Sequence, residues 1–275
     1  MRVVSLIALF ALMYICLCDD PIAASAQKMN TRENTQPEAE RLWEQAVSAK
    51  GGRARLHAVE NLLVSSRLKG KKNLFQSVEL RYEHFYVFPS KGWHWNDEGE
   101  SGLFTLSVEW FDLERNLKYL AYANDPTSPR KMQTYPRERD FLFKTQLLYL
   151  LESRWQKPRP LAARTERIGL KKFDVVETVV NRERVDFYLD RKTHLPAKVV
   201  EHYGGANEEQ ANVTFNLDDY EEVSGIQLPH TVTRVGPLGS LKQRVHYQLN
   251  VAYDEGLFQN PPTMTAGAEA WKPKR

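Results

Sequence analysis

The chain has 275 residues, of which 42% are hydrophobic, 27% charged and 11% aromatic. This composition is typical of a folded globular protein and excludes a disordered chain or a fibre. The formal net charge is only +3 and basic residues are interleaved with acidic ones, which argues against a nucleic-acid-binding protein, because such proteins concentrate their positive charge on one surface.

The first 26 residues have the pattern of a secretory signal peptide. Arg2 precedes an unbroken apolar run over residues 3–18, and a small-residue segment ends at Ala26. The run is shorter than the roughly 20 residues that a membrane span needs, and Ala-Ser-Ala is typical of a cleavage site. We therefore predict a signal peptide over residues 1–26 and a mature chain that begins at Gln27. An uncleaved anchor helix is the alternative.

Both cysteines, Cys16 and Cys18, lie within this run. The mature chain would then contain no disulfide and no thiolate catalyst or metal ligand. Lipidation of Cys18 is an alternative, because lipoproteins retain a cysteine after an apolar segment. Cleavage after Ala26 would leave 37 basic and 33 acidic residues, since Arg2 and two aspartates are removed.

A polar stretch over residues 27–36 has no periodicity and predicts a disordered leader. A helix follows, because Thr35 and Glu38 have capping-box spacing and Gly51 and Gly52 supply a stop. Five apolar residues at helical spacing define its buried face: Ala39, Leu42, Trp43, Ala46 and Val47.

Downstream of this helix the hydrophobic period changes from about 3.6 to 2, which is typical of half-buried strands. Alternation is clearest over residues 78–88 and 104–110. Further strands are predicted over residues 62–68, 173–180, 185–189, 197–202, 211–217, 226–234 and 241–251. Short connectors favour an antiparallel meander. With no repeat and no linker, we predict one domain over residues 37–262 and a polar tail over residues 263–275.

A helix over residues 135–155 interrupts the strands, with Pro136 at the first helical position. Apolar residues cover most of its circumference: Phe141, Leu142, Phe143, Leu147, Leu148, Tyr149, Leu150 and Leu151. Such a helix must be covered on more than one side, by a curved sheet or by a sheet together with a ligand or partner. Plain burial under the sheet is the simpler alternative.

Two tryptophans that follow the strand over residues 78–88, together with residues of the strand over 104–110 and of this helix, are candidates to line a ligand cavity. They are Trp93, Trp95, Phe104, Leu106, Val108, Trp110, Phe141, Leu147, Leu148 and Leu151. Aromatic residues on alternating strands also form ordinary cores, so both interpretations stay open.

Motifs for catalysis, metal binding or nucleotide binding are not found in the sequence. The seven histidines have no metal-ligand spacing: His57, His84, His94, His194, His202, His230 and His246. No glycine-rich phosphate loop occurs either. The sequence therefore predicts no catalytic residue, no metal and no cofactor.

Three short segments carry a family resemblance. They are the helix end at residues 49–52 (AKGG), residues 219–229 (DYEEVSGIQLP) and residues 249–258 (LNVAYDEGLF), which Asn260-Pro261-Pro262 follows. Together with the export signal, they resemble the bacterial LolA/LolB superfamily of outer-membrane lipoprotein-sorting proteins. The resemblance implies a mainly β (α+β) fold, an antiparallel unclosed half-barrel of about eleven strands with helices covering its concave face.

It also implies that the fold shelters lipoprotein acyl chains. Together with the export signal, the cysteine-free meander and the apolar mid-chain helix, this leads us to predict a non-enzymatic periplasmic binding or carrier protein for an acyl chain or the lipid moiety of a lipoprotein. Transient membrane contact is compatible with such a role, and the charge distribution predicts no nucleic-acid partner. The helix around residues 141–151 would suit the lid or plug of such a cavity. A structural or sensory envelope domain that binds another protein is the alternative hypothesis. An envelope hydrolase is a third, which requires catalytic groups that converge only in the folded chain.

Overall fold

The computed structural model describes residues 35–71, 77–97, 106–122, 129–134, 136–180, 183–203, 211–236 and 239–259. The predicted signal peptide (1–26), most of the predicted leader (27–36) and the predicted tail (263–275) lie outside these residues.

Three helices have the bounds α1 (Gln36–Ala49), α2 (Arg53–His57) and α3 (Pro136–Leu150). The prediction for α1 is confirmed, because its buried residues are the five predicted from helical spacing. The predicted capping box is wrong: Thr35 occupies the N-cap without a side-chain capping bond. Glu38 instead accepts hydrogen bonds from Arg41 at 2.8 and 2.6 Å.

Thirteen strands follow these bounds: β1 (Asn61–Lys71), β2 (Ser77–Val87), β3 (Lys91–Asp97), β4 (Leu106–Asp112), β5 (Leu117–Tyr122), β6 (Arg130–Met132), β7 (Arg159–Ile168), β8 (Lys171–Val180), β9 (Glu183–Asp190), β10 (Pro196–Tyr203), β11 (Ala211–Val223), β12 (Ile226–Gly236) and β13 (Gly239–Leu249). All form one sheet in the order β6-β5-β4-β3-β2-β1-β13-β12-β11-β10-β9-β8-β7. Every pairing is antiparallel, and the sheet is not closed because β6 and β7 are edges. The predicted fold class is confirmed, with thirteen strands where the resemblance implied about eleven.

The sheet has two differently covered faces. The inner face packs against α1, α2 and α3 and carries the larger core, to which Trp43, Leu142 and Phe187 contribute. The outer face of β1–β5 carries a second core that includes Phe85 and Trp93. A C-terminal segment with a short 3₁₀ helix (Glu255–Phe258) covers this second core.

The segments that carry the family resemblance meet at the end of α1. The backbone N–H of Gln227 donates to the Lys50 carbonyl at 2.9 Å, and Lys50 Nζ donates to the Gln227 carbonyl. Gly51 has φ +126, and a Cβ there would lie 2.2 Å from the Gly225 carbonyl oxygen. The glycine therefore permits a backbone approach that any side chain would block.

A buried carboxylate joins the end of α3 to α1 and α2. Glu152 accepts hydrogen bonds from Arg53 Nε at 2.6 Å and Trp43 Nε1 at 3.4 Å, and its Oε1 lies 3.0 Å from His57 Nε2. Burial raises the pKa of Glu152, but Arg53 outweighs this effect and holds the pKa below its ordinary value. The eight residues of these contacts form what we name the helix joint: Trp43, Lys50, Gly51, Arg53, His57, Glu152, Gly225 and Gln227.

Candidate functional site

The structure divides the predicted cavity residues between the two faces of the sheet. Trp93, Trp95, Val108 and Trp110 belong to the core of the outer face. Trp110 Nε1 there donates to the carbonyl of Leu257 at 2.8 Å, so the C-terminal segment covers this set. Their role as ligand contacts stays a prediction.

The other predicted residues lie on α3, directly after its last residue, on β4 or outside the described residues. Leu147, Leu148 and Leu151 are buried in the core of the inner face, whereas Phe141 is 50% exposed. Leu106 begins β4. Phe104 lies outside the described residues.

Alternation along β3 and β4 explains this division, because successive side chains of a strand point to opposite faces. His94 lies between Trp93 and Trp95, and it contacts Phe111 and Phe141 on the inner face. Sequence reasoning named the two tryptophans and missed this histidine. Local alternation gave no signal for it, because Trp93, His94 and Trp95 are all buried.

Four polar residues form what we name the inner cluster: His84, His94, Glu109 and Lys118. His84, His94 and Glu109 are cross-strand neighbours on β2, β3 and β4. Glu109 Oε1 lies 2.6 Å from Lys118 Nζ, and Glu109 Oε2 lies 3.6 Å from His94 Nδ1. The two imidazole rings are 4.4 Å apart between centroids.

The charges of this cluster follow from its environment. Burial raises the pKa of Glu109, but His94 and Lys118 outweigh burial and lower it to about 2. Burial and the neighbouring His94 lower the pKa of His84 to about 3. At neutral pH, Glu109 is therefore ionised beside Lys118, and His84 is an uncharged donor and acceptor.

Aromatic rings surround His94 and limit its contact with water. Its ring centroid lies 5.3 Å from that of Tyr86, 5.4 Å from Phe111 and 6.0 Å from Phe141. His94 is 7% exposed, and its Nε2 is a buried nitrogen without a hydrogen-bond partner in the described chain. By contrast, His84 Nε2 has Asn96 Oδ1 at 3.1 Å. The first turns of α3 thus cover a polar site through Phe141.

The arrangement of α3 is different at its two ends. Its last residues and Glu152 are held by the helix joint, and Tyr149 packs against Tyr247 at 5.3 Å between ring centroids. Nearer its start, Lys144 pairs with Glu183 of β9, and Phe141 rests on His94. The end near Glu152 is buried, whereas the side chain of Phe141 is half exposed.

Other features of the described chain lie apart from this site. A cavity of about 230 Å³ at the ends of β2 and β3 is lined by charged side chains that include Lys91, Glu114 and Arg154, and none of the predicted cavity residues lines it. Among the described residues, no group of three histidine, cysteine or acidic side chains is arranged to hold a metal. No helix within them has the length and apolar character needed to cross a membrane.

Comparison with known proteins gives matches in structure. No protein-family model matches the chain, and no curated protein matches its sequence. A LolA superfamily protein from Nitrosomonas europaea superposes with a TM-score of 0.50 at 12% identity, over 80% of this chain and 96% of that one.

Two further structures cover similar shares of the chain. A domain named for outer membrane lipoprotein sorting, from Vibrio parahaemolyticus, has a TM-score of 0.48 at 13% identity, over 80% of this chain and 97% of that one. A DUF1329 family protein from Desulfovibrio piger has a TM-score of 0.45 at 12% identity, over 80% and 96%. The open antiparallel sheet with helices on one face, together with the superposition on the Nitrosomonas protein, gives this chain a LolA-like fold.

Proposed function

We propose that the chain is a non-enzymatic binding or carrier protein for a hydrophobic ligand, an acyl chain or the lipid moiety of a lipoprotein. The observation that carries the proposal is the position of α3. This apolar helix packs on the inner face of an unclosed sheet, and Phe141 near its start covers the inner cluster on that face. The LolA-like fold supports the same function. Because the sequence identity is only 12%, the fold does not specify the ligand, which is argued from the site.

The binding space would open at the start of α3. Phe141 is 50% exposed and contacts the sheet through His94, so displacing it removes little buried area. Each methylene of an acyl chain that moves from water into the apolar site contributes roughly 0.8 kcal/mol to the free energy of binding. A chain of ordinary length can therefore outweigh the packing energy that is given up when the first turns of α3 move away from β3.

The ligand would be met outside the cytoplasm. The predicted signal peptide over residues 1–26 supports export to the periplasm, where an acyl chain needs shelter from water. In this proposal the segment of α3 that opens includes Lys144, whose ion pair with Glu183 of β9 breaks when the helix moves. The residues beyond it toward Glu152 stay in the core.

The test begins with the exported protein purified from its own envelope fraction. Native mass spectrometry is expected to detect a stoichiometric added mass of a lipid or lipoprotein. After delipidation, the protein should take up pyrenyl-decane, a fluorescent alkyl probe without a polar end. A bare mass together with no uptake would contradict the proposal.

A chemical lock tests whether α3 must move. The mature chain is predicted to contain no cysteine, so Lys144→Cys with Glu183→Cys gives a unique pair for a short bis-maleimide. We expect the linked protein to take up the probe about tenfold more slowly than the unlinked double variant. Arg81→Cys with Asp97→Cys, an ion pair of 2.8 Å that joins β2 to β3, is the matched control because its link leaves α3 free.

A second candidate is a structural or sensory envelope domain that binds another protein. It is favoured by the close packing of α3 and of the residue that follows it, because Leu142, Leu150 and Leu151 have no exposed surface. A filled inner face would then act only as a core. This candidate expects no bound lipid, no uptake of pyrenyl-decane, and a specific envelope protein recovered by crosslinking whether or not α3 is locked.

A further inference from the structure

The inner cluster contains one buried polar atom whose position indicates what a ligand would present to it. His94 is 7% exposed, and its Nε2 has no hydrogen-bond partner in the described chain. Leaving such an atom unpaired in the folded chain is unfavourable, because its hydrogen bond to water is lost and not replaced. A buried polar group without a partner requires an explanation, and one explanation is that it belongs to a binding site.

The neighbouring carboxylate determines which hydrogen-bonding role this atom plays. Glu109 Oε2 lies 3.6 Å from His94 Nδ1. A carboxylate beside one imidazole nitrogen favours the tautomer with its proton on that nitrogen. In the neutral imidazole of His94 the proton therefore lies on Nδ1, and Nε2 is the acceptor.

We propose that His94 Nε2 accepts a hydrogen bond from the polar end of the bound amphiphile, which is uncharged there and carries a hydroxyl or amide N–H. This inference rests on the proposed function and specifies its ligand class. The ligand's apolar chain would extend from His94 along the inner face beneath α3. Phe141, whose ring lies 6.0 Å from that of His94, would move aside to admit the polar end.

The same geometry selects against an anionic end. A fatty-acid carboxylate would face the lone pair of Nε2, with the ionised Glu109 as the next group. Lys118 does not offset this, because its ammonium lies 2.6 Å from Glu109. His84 does not supply the missing donor, since its Nε2 faces Asn96 and its Nδ1 lies 3.4 Å from the Tyr86 hydroxyl.

The experiment compares ligands that differ in one donor. Dissociation constants are measured by displacement of pyrenyl-decane from the delipidated exported protein. 1-Dodecanol is compared with dodecyl methyl ether, and N-methyldodecanamide with N,N-dimethyldodecanamide. In at least one pair, we expect the ligand that carries the hydrogen-bond donor to bind about tenfold more tightly than its methylated counterpart. The pair that shows this preference identifies a hydroxyl or an amide as the source.

Three variants assign the preference to one atom. In His94→Phe the ratio should fall to about one while the affinity for the ether is kept. His94→Gln retains an amide acceptor and should recover part of the ratio. His246→Phe is the matched control, because His246 lies exposed on β13. Thermal denaturation checks that each variant is folded, and the wild-type ratio tests the proposal without any variant.

Failure of the inference and failure of the proposed function give different results. Equal affinity within both pairs, or tighter binding of dodecanoate than of dodecanol, overturns the inference and leaves the carrier function standing. A preference that survives in His94→Phe also overturns it. Absence of binding by the probe and by all four ligands overturns the carrier function, and the inference with it.

Discussion

The helix joint surrounds Glu152 with nitrogen atoms of three residues, whereas the inner cluster leaves one nitrogen of His94 unpaired in the described chain. Both regions bury polar groups on the helix side of the same sheet. A fully paired buried group fixes its neighbours, because moving any partner leaves a desolvated charge. A buried polar group that lacks one hydrogen-bond partner instead favours binding of a ligand that supplies it. In the proposed function the joint therefore has a structural role, and the cluster is the part that meets the ligand.

The largest effect expected in the joint is that of Gly51→Ala. The new Cβ would meet the Gly225 carbonyl oxygen at 2.2 Å in a backbone with φ +126, so we expect a loss of about 3–5 kcal/mol in the free energy of unfolding. Urea denaturation measures it. Gly52→Ala is the control, since φ there is +88 but no atom lies within 4 Å of the added Cβ. Equal losses would refute a close backbone contact at the joint.

Removal of the buried carboxylate should have the next largest effect. Glu152→Ala leaves Trp43, His57 and Arg53 without their shared acceptor, and we expect a loss of about 3 kcal/mol. Glu44→Ala removes the other, exposed partner of Arg53, and should cost less than about 1 kcal/mol. Urea denaturation of both variants decides. A Glu152 variant as stable as the Glu44 variant would remove the distinction between joint and cluster.

The joint should also make stability depend on pH through Lys50. Burial lowers the pKa of Lys50 to about 7, below its ordinary value. Above pH 7 the unfolded chain therefore holds a proton that the folded chain has lost, so raising the pH favours folding. Between pH 7 and 9 the free energy of unfolding should rise by about 2 kcal/mol.

Lys50→Met should abolish this rise, and Lys192→Met, at an exposed turn, should retain it. Denaturation curves at pH 7, 8 and 9 measure the slope. An unchanged slope in Lys50→Met would assign the titration to another group. Above pH 10 the trend should reverse, because burial raises the pKa values of Tyr86, Tyr149 and Tyr220.

The sequence predicts elements well where only one side of them is buried. The face of α1 follows from its spacing because its opposite side is polar. β3 was not predicted as a strand, because Trp93, His94 and Trp95 are all buried and no alternation remains. β7 was missed as well, since an edge strand with alanine and charged residues carries little apolar signal. β5 and β6 were also not predicted.

The site was harder to predict than the fold for the same reason. Hydrophobic–polar alternation distinguishes the two faces of a strand only when one face is exposed to solvent. It therefore could not place Trp93 and His94 on opposite faces of the sheet. The partners of the joint are distant in sequence: Glu152 meets Trp43, and Lys50 meets Gln227. Such contacts depend on the order of the strands, which local patterns do not specify.

The smallest effect on stability is expected at the exposed end of α3. Phe141 is 50% exposed, so Phe141→Ala should lower the free energy of unfolding by only about 1 kcal/mol. On the same helix, Leu147 is 2% exposed, and Leu147→Ala should cost about 3 kcal/mol. Because Phe141 covers His94, its removal should also speed the association of pyrenyl-decane several-fold, as stopped-flow fluorescence would measure. Equal stability losses for the two variants, or an unchanged association rate in Phe141→Ala, would mean that α3 is held as firmly over the inner cluster as it is at the joint.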